Sequence, residues 1–212
     1  MKKLLLCSAA VMMFAPAAHA ESVVFKPYIG VDFQHSSYSY NKDFVDSGVH
    51  LNGETLLENG LNGFNIHVGN RFNDYIGLEL GYFRTKEGTK DIKAGDTVGN
   101  GTVAAADFST KVKTQGVTLD ALGYLPLGTE KRFDLIGTAG LSWTKADLKI
   151  DVPGVGSGSD NSSEIGFRAG AGAQFHVTDK VNIRGIARYQ NADFDSTTDH
   201  AWVYTLGVNY SF

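Results

Sequence analysis

The stretch that decides the fold is the last eleven residues, Trp202-Val-Tyr-Thr-Leu-Gly-Val-Asn-Tyr-Ser-Phe212. Side chains on a strand alternate between its two faces. Trp202, Tyr204, Leu206, Val208, Tyr210 and Phe212 therefore share one face. Val203, Thr205, Gly207, Asn209 and Ser211, mostly small or polar, share the other. A strand apolar toward its surroundings and polar toward an interior suits a closed transmembrane β-barrel, in which every backbone group pairs with a neighbouring strand. A water-soluble sandwich also alternates, but rarely ends its chain on an edge strand with aromatics at both ends of the apolar face.

Seven earlier segments alternate in the same sense. Ile29, Val31 and Phe33 oppose Tyr28, Gly30, Asp32 and Gln34, and Phe64, Ile66 and Val68 oppose Asn65, His67, Gly69 and Arg71. In the third, Ile76, Leu78, Leu80 and Tyr82 oppose Gly77, Glu79 and Gly81; in the fourth, Val117, Leu119 and Ala121 oppose Thr118, Asp120 and an apolar Leu122. The fifth turns Phe133, Leu135, Leu141 and Trp143 outward and Asp134, an apolar Ile136, Thr138 and Ser142 inward. The sixth places Ile165, Phe167 and Phe175 against Arg168, Gln174 and His176, and the seventh Val181, Ile183 and Tyr189 against Asn182, Arg184, an apolar Ile186, Arg188 and Gln190. No charged residue falls on an apolar face, where Lys or Arg at mid-depth would cost roughly 2–4 kcal/mol. The expected fold is all-β, an eight-stranded antiparallel up-and-down transmembrane β-barrel.

The connections sort by parity. Long polar stretches, 38–61, 84–114, 145–163 and 191–199, follow the odd segments, and short ones near 73–74, 125–132 and 178–180 follow the even ones. Four long extracellular loops and short periplasmic turns place both termini in the periplasm of a bacterial outer membrane. Gly154-Val-Gly-Ser-Gly-Ser-Asp160 lacks the Lys-Ser/Thr ending of a phosphate loop and reads as a flexible loop tip. Asn161-Ser-Ser forms a glycosylation triplet to which an outer-membrane location gives no role.

Lys2 and Lys3, the apolar run from Leu4 to Phe14 and the small residues of Ala18-His19-Ala20 compose a secretory signal peptide over residues 1–20, leaving a barrel over 21–212. Cys7, the single Cys, sits inside the apolar run and leaves with the leader, so the mature chain has no disulfide and no thiolate metal site. Lys2 and Lys3 leave too; 17 of the 19 basic residues then face 23 acidic ones, a net charge of −6 that argues against a nucleic-acid partner. After the leader, no apolar run approaches the ~18 residues of a helical span. Gly is abundant at 25 residues and Pro scarce at 4, as suits strands bent around a narrow barrel.

Two stretches resemble a known family. Tyr75-Ile-Gly-Leu-Glu-Leu-Gly-Tyr82 looks like the third strand of the OmpA-type transmembrane domain. Val117 through Leu-Gly-Tyr124, Pro126 and Leu141-Ser-Trp143-Thr-Lys-Ala-Asp147 look like its fourth and fifth strands. The resemblance implies a small eight-stranded barrel, here without the periplasmic peptidoglycan-binding domain of full-length members. It also implies that the terminal Tyr210 and Phe212 form a signal read by the outer-membrane assembly machinery. A lumenal Glu on strand three, here Glu79, would pair with an Arg on strand seven, here Arg184 or Arg188. Leu122 and Gln174 stand nearest the positions of the family's second pair, a Lys with a Glu.

The inward-facing Asp32, Glu79, Asp120, Arg168, Arg184 and Arg188 invite a catalytic reading as paired carboxylates. The interior of an eight-stranded barrel is only wide enough for side chains to fill, so charge pairing within a plug accounts for them better. His67 and His176 find no second ligand at a metal-binding spacing, and neither cofactor nor metal is expected. His35 and Ser37 share an outer face near the rim, an arrangement that resembles small-barrel lipid A deacylases. No acidic residue nearby completes it, so an esterase is only a minor alternative. Tyr82, Trp143, Tyr189 and Trp202 should form an aromatic belt at the outer rim. The sequence thus points to a structural or surface-interaction (adhesin-like) barrel in contact with outer-membrane lipids, lipopolysaccharide and, through its loops, a host surface molecule. The alternative is a narrow porin passing ions or small solutes.

Overall fold

The computed structural model describes residues 25–40, 44–46, 49–99, 102–154, 156–191 and 198–212. The expected leader over residues 1–20 and residues 192–197 of the last long connection lie outside them. Eight long strands form a ring: β1 (Lys26–Tyr40), β2 (Gly60–Arg71), β3 (Ile76–Thr85), β4 (Phe108–Leu127), β5 (Phe133–Val152), β6 (Gly156–His176), β7 (Val181–Asn191) and β8 (Thr198–Ser211). Each pairs antiparallel with its chain neighbours, and β8 closes the ring on β1. The architecture is therefore an antiparallel up-and-down barrel of eight strands.

Closure sets the stagger. The register runs from Thr85 on β3 through Gly63, Gln34, Thr205, Ile186, Gly172, Ile136 and Tyr124. The Tyr124 amide then donates to the carbonyl of Tyr75, ten residues (85 to 75) below the start on the same strand. A sheet closed with that offset must tilt its strands, typically by about 35–45°. Residues far apart in number thereby come to one height inside the barrel.

The usual burial pattern is inverted. Polar side chains dominate the buried set, whereas Phe33, Leu80, Leu141, Trp143, Leu206 and Phe212 lie on the open outer surface. Glycines on the inner face make room for their neighbours. A Cβ on Gly207 would fall on the Asp32 carboxylate, and one on Gly30 on the His67 imidazole.

The long connections hold more strand than their polar composition suggests. β4 starts at Phe108, well before the apolar run at Val117, and β5 and β6 continue through most of 145–163 as a tall hairpin. Once two strands are paired at the rim, each added pair satisfies backbone groups, and Ser, Thr and Lys tolerate water on both faces. The expected loop tip at 154–160 narrows to a tight turn at Gly154, whose φ of 81° suits Gly, while Ser157–Asp160 lie on β6. Gly88–Ile92 forms an extra strand on the extended edge of β4. A helical turn, Gly53–Leu56, is capped by Asn52, whose side chain accepts from the Glu54 amide.

Candidate functional site

The inward rows carry the chemistry, in three layers counted from the short-turn end. In the first, Arg71 at the end of β2 donates to Asp134 Oδ2 at 2.7 Å, and His176 Nε2 lies 2.9 Å from the same oxygen. Arg71 also stacks on Tyr124, 4.2 Å from the ring centroid, and donates to the carbonyls of Asn73 and Asp74. An open vestibule of about 370 Å³ is lined by these groups with Tyr28, Gln174 and Asn209. Its rim carries Asp74, outside the strands, whose carboxyl is held below the usual range mainly by the hydrogen bond from Lys131.

The second layer is the most densely bonded. Arg184 from β7 grips Glu79 of β3 with both terminal nitrogens, Nη1 to Oε2 at 2.5 Å and Nη2 to Oε1 at 3.0 Å. The same guanidinium donates to Asp32 Oδ2 at 3.0 Å and lies 3.1 Å from His67 Nδ1. Tyr28 donates to Glu79 at 2.9 Å, Asn65 to Asp32 at 3.1 Å, and His67 Nε2 meets Asn209 at 2.8 Å. Arg184 is 1% exposed and Glu79 2%. Two carboxylates on one guanidinium leave the layer one negative charge in excess.

The third layer has the opposite imbalance. Arg168 donates to Asp120 Oδ2 at 2.7 Å, while Arg188 stands 3.9 Å from Asp120 and 4.0 Å from Glu79 and donates to Thr205 at 3.2 Å. Five buried polar atoms here make no hydrogen bond: Asp120 Oδ1, Arg168 Nε, Arg188 Nε and Nη2, and Thr138 Oγ1. Leu122, Tyr124, Ile136 and Ile186 form an apolar patch against these layers. Gln174, on the vestibule wall, accepts a long 3.5 Å bond from Asn209.

Above the third layer an apolar cluster packs among buried Thr, Ser and Gln side chains. Tyr38, Tyr40, Leu57, Leu61, Val112 and Ala201 pack as one cluster, with Leu56 of the helical turn and Leu148 against it. Sequence reasoning missed this cap, because most of its residues are scattered through stretches that read as polar loop. It also missed the Arg71–Asp134–His176 trio, although the alternation puts all three on inner faces.

The six lumenal charges named from the sequence thus meet, in two adjoining groups, and Glu79 takes Arg184 rather than Arg188 as its close partner. Tyr82, Trp143, Tyr189 and Trp202 all project from the outer surface. Tyr189 and Trp202 are paired across strands with rings edge-on at 5.7 Å. His35 Nδ1 meets Asn62 Oδ1 at 2.8 Å on the outer face, so an amide rather than a carboxylate orients it. Tyr210 and Phe212 sit edge to face at 5.4 Å. Among the described residues no cluster of metal-ligating side chains occurs.

A family model described as the outer membrane protein beta-barrel domain matches residues 5–212. The chain belongs to that family. It is 27% identical over 205 residues to outer membrane protein A of Shigella flexneri, a match covering 94% of this chain and 52% of that protein. The chain thus spans about half the length of that curated relative. In fold it is similar to OprG from Pseudomonas aeruginosa, at a TM-score of 0.59 and 14% identity over 90% of this chain and 97% of that one. It is also similar to Neisserial surface protein A, at 0.57 and 18% over 88% and 97%. A third similar fold is Ail, the attachment invasion locus protein of Yersinia pestis, solved with the heparin analogue sucrose octasulfate, at 0.55 and 18% over 89% and 99%. This outer-membrane barrel meets lipid along the apolar faces of its strands.

Proposed function

We propose that the protein is a surface-interaction barrel, adhesin-like in role, whose lumen is plugged against conduction. Residues 1–20 serve as its signal peptide. Both termini face the periplasm, and the assembly machinery reads Tyr210 and Phe212. The long loops face outward, where lipopolysaccharide and host surface molecules are the available partners. Similarity of fold to an attachment protein solved with a heparin analogue supports that class of role. The single observation carrying the plug is the bidentate Glu79–Arg184 pair crossing between opposite walls, with the apolar cap above it. Moving an ion past both requires breaking a buried pair and exposing apolar surface.

Planar-bilayer conductance of the purified barrel tests this reading. Wild type should be silent or nearly so, and Glu79→Ala should raise channel events. Steady conductance in wild type would instead establish the second reading, a narrow pore, which the open vestibule and the partner-poor third layer favour.

A further inference from the structure

The vestibule at the short-turn end carries charge that is already neutralised within its own lining. Lys26 and Lys131 both pair with Asp74, and Arg71 and His176 both engage Asp134. Counting Asp179, the carboxylates of Asp74, Asp134 and Asp179 balance the cations of Lys26, Arg71 and Lys131. A charged solute entering here would have to displace a partner from an existing pair. Selectivity therefore falls to the uncharged polar groups.

Those groups share one wall. His176, Asn182 and Asn209 are directly opposed across β6, β7 and β8, with Gln174 and Ser211 two residues along from the outer members of that row. Their bonds to one another are long. His176 holds Asn182 Oδ1 at 2.6 Å, which leaves the Asn182 amino group to reach Ser211 at 3.4 Å. Asn209 reaches Gln174 at 3.5 Å. Gln174 is 5% exposed, yet its Nε2 has no partner among the described residues. A buried amide donor without a partner is costly, and this one lines an open space of about 370 Å³. Each amide carries both donors and an acceptor, and the Ser211 hydroxyl serves as either. Vicinal hydroxyls of a sugar, each able to donate and accept, match such a wall. The volume lies at the low end of the range of about 300–1,000 Å³ for small-molecule pockets. Tyr28 and Tyr124 close the floor, and Tyr28 is tied to Glu79 of the layer beneath, so the pocket is blind.

We propose that the vestibule binds a short, uncharged saccharide through Gln174, Asn182, Asn209 and Ser211. The site lies at the opposite end of the barrel from the long loops and gives the protein a second, separate binding face. A sugar held here stops at the Glu79–Arg184 layer, so binding does not require passage through the lumen.

The test follows the side-chain amide resonances of the nitrogen-labelled barrel in nanodiscs during titration with sugars. The probes are maltose and diacetylchitobiose, each beside a charged relative of the same size, maltobionate and deacetylated chitobiose. At least one neutral disaccharide should shift the Gln174, Asn182 and Asn209 amides and saturate at millimolar concentration. Its charged relative should bind at least about tenfold more weakly, and salt should leave the neutral affinity unchanged. Gln174→Leu gives up only the long bond to Asn209, so it should fold, and it should weaken binding by about tenfold or more. Gln115→Leu, on the outer face near the other end, should leave the affinity as in wild type. Silence of the three amides in wild type with both neutral sugars overturns the proposal, whether or not the variant folds. So does binding of the charged relatives as tight as that of the neutral sugars, or full affinity in folded Gln174→Leu. Bilayer conductance decides the plug, and this titration decides the pocket, so the two readings fail separately.

Discussion

The second and third lumenal layers use the same residue types, yet they solve the burial of charge differently. Around Arg184 each charged group meets several partners within 3.5 Å. Around Arg188 the nearest carboxylates stand at 3.9 and 4.0 Å, and nitrogens of two arginines make no hydrogen bond. One layer is a rigid crosslink between β1, β3 and β7; the other has slack. A buried charge is tolerable only when paired and hydrogen-bonded. The Arg184 layer therefore holds its geometry by its own hydrogen bonds, whereas the Arg188 layer leaves buried polar atoms to be satisfied by water.

The largest expected effect follows from removing the shared cation. Arg184→Met should strand Glu79 and Asp32 together and lower stability by roughly 3–5 kcal/mol, read as the unfolding midpoint of the folded barrel by Trp fluorescence. Glu79→Ala should cost less, because Asp32 still engages Arg184. Combining the two substitutions should give less than the sum of the single losses. Strict additivity would mean that the pair is not coupled, and the rigid-crosslink view of this layer would be wrong.

In the partner-poor layer the loss should be smaller. Arg168→Met removes one close pair and leaves Asp120 beside Arg188, which has free donors to turn toward it. We expect a cost of about 1–3 kcal/mol, and a smaller change in conductance than Glu79→Ala produces. A loss equal to that of Arg184→Met would erase the distinction between the layers.

The contrast also locates what was legible in the sequence. Two-residue periodicity assigns a face to every strand residue, so the inner set containing Asp32, Glu79, Asp120 and the three arginines could be written down before any coordinates. Periodicity carries no height. Whether Glu79 meets Arg184 or Arg188 depends on the stagger that closes the ring, a property of all eight pairings together. The cap was hidden for another reason. Tyr38, Leu61, Val112 and Ala201 come from four strands, β1, β2, β4 and β8, and no single stretch contains enough apolar residues to announce a core. The tall β5–β6 hairpin was hidden because Lys, Ser and Asp tolerate strand or loop equally when water bathes both sides.

The smallest effect comes from the same carboxylate–cation chemistry placed in water. Lys131 Nζ meets Asp74 Oδ2 at 2.8 Å at the barrel's short-turn end, with Lys26 at 3.8 Å, and the Asp74 side chain is 35% exposed. The hydrogen bond from Lys131 keeps the Asp74 carboxyl below its ordinary value in the folded state. Depression on folding means that the stabilisation is fully present above the unfolded value, near 3.9, and is lost as pH falls through the folded one. Solvent and salt screen an exposed pair, so the contribution is at most about 1 kcal/mol. Lys131→Ala should therefore lower the unfolding midpoint slightly at pH 7, and the gap from wild type should shrink on acidification below about pH 4 or in high salt. Arg184→Met should keep most of its deficit in high salt, because its carboxylates are shielded from solvent. If salt narrows both gaps alike, water reaches the second layer as freely as it reaches Asp74, and burial does not separate the two pairs.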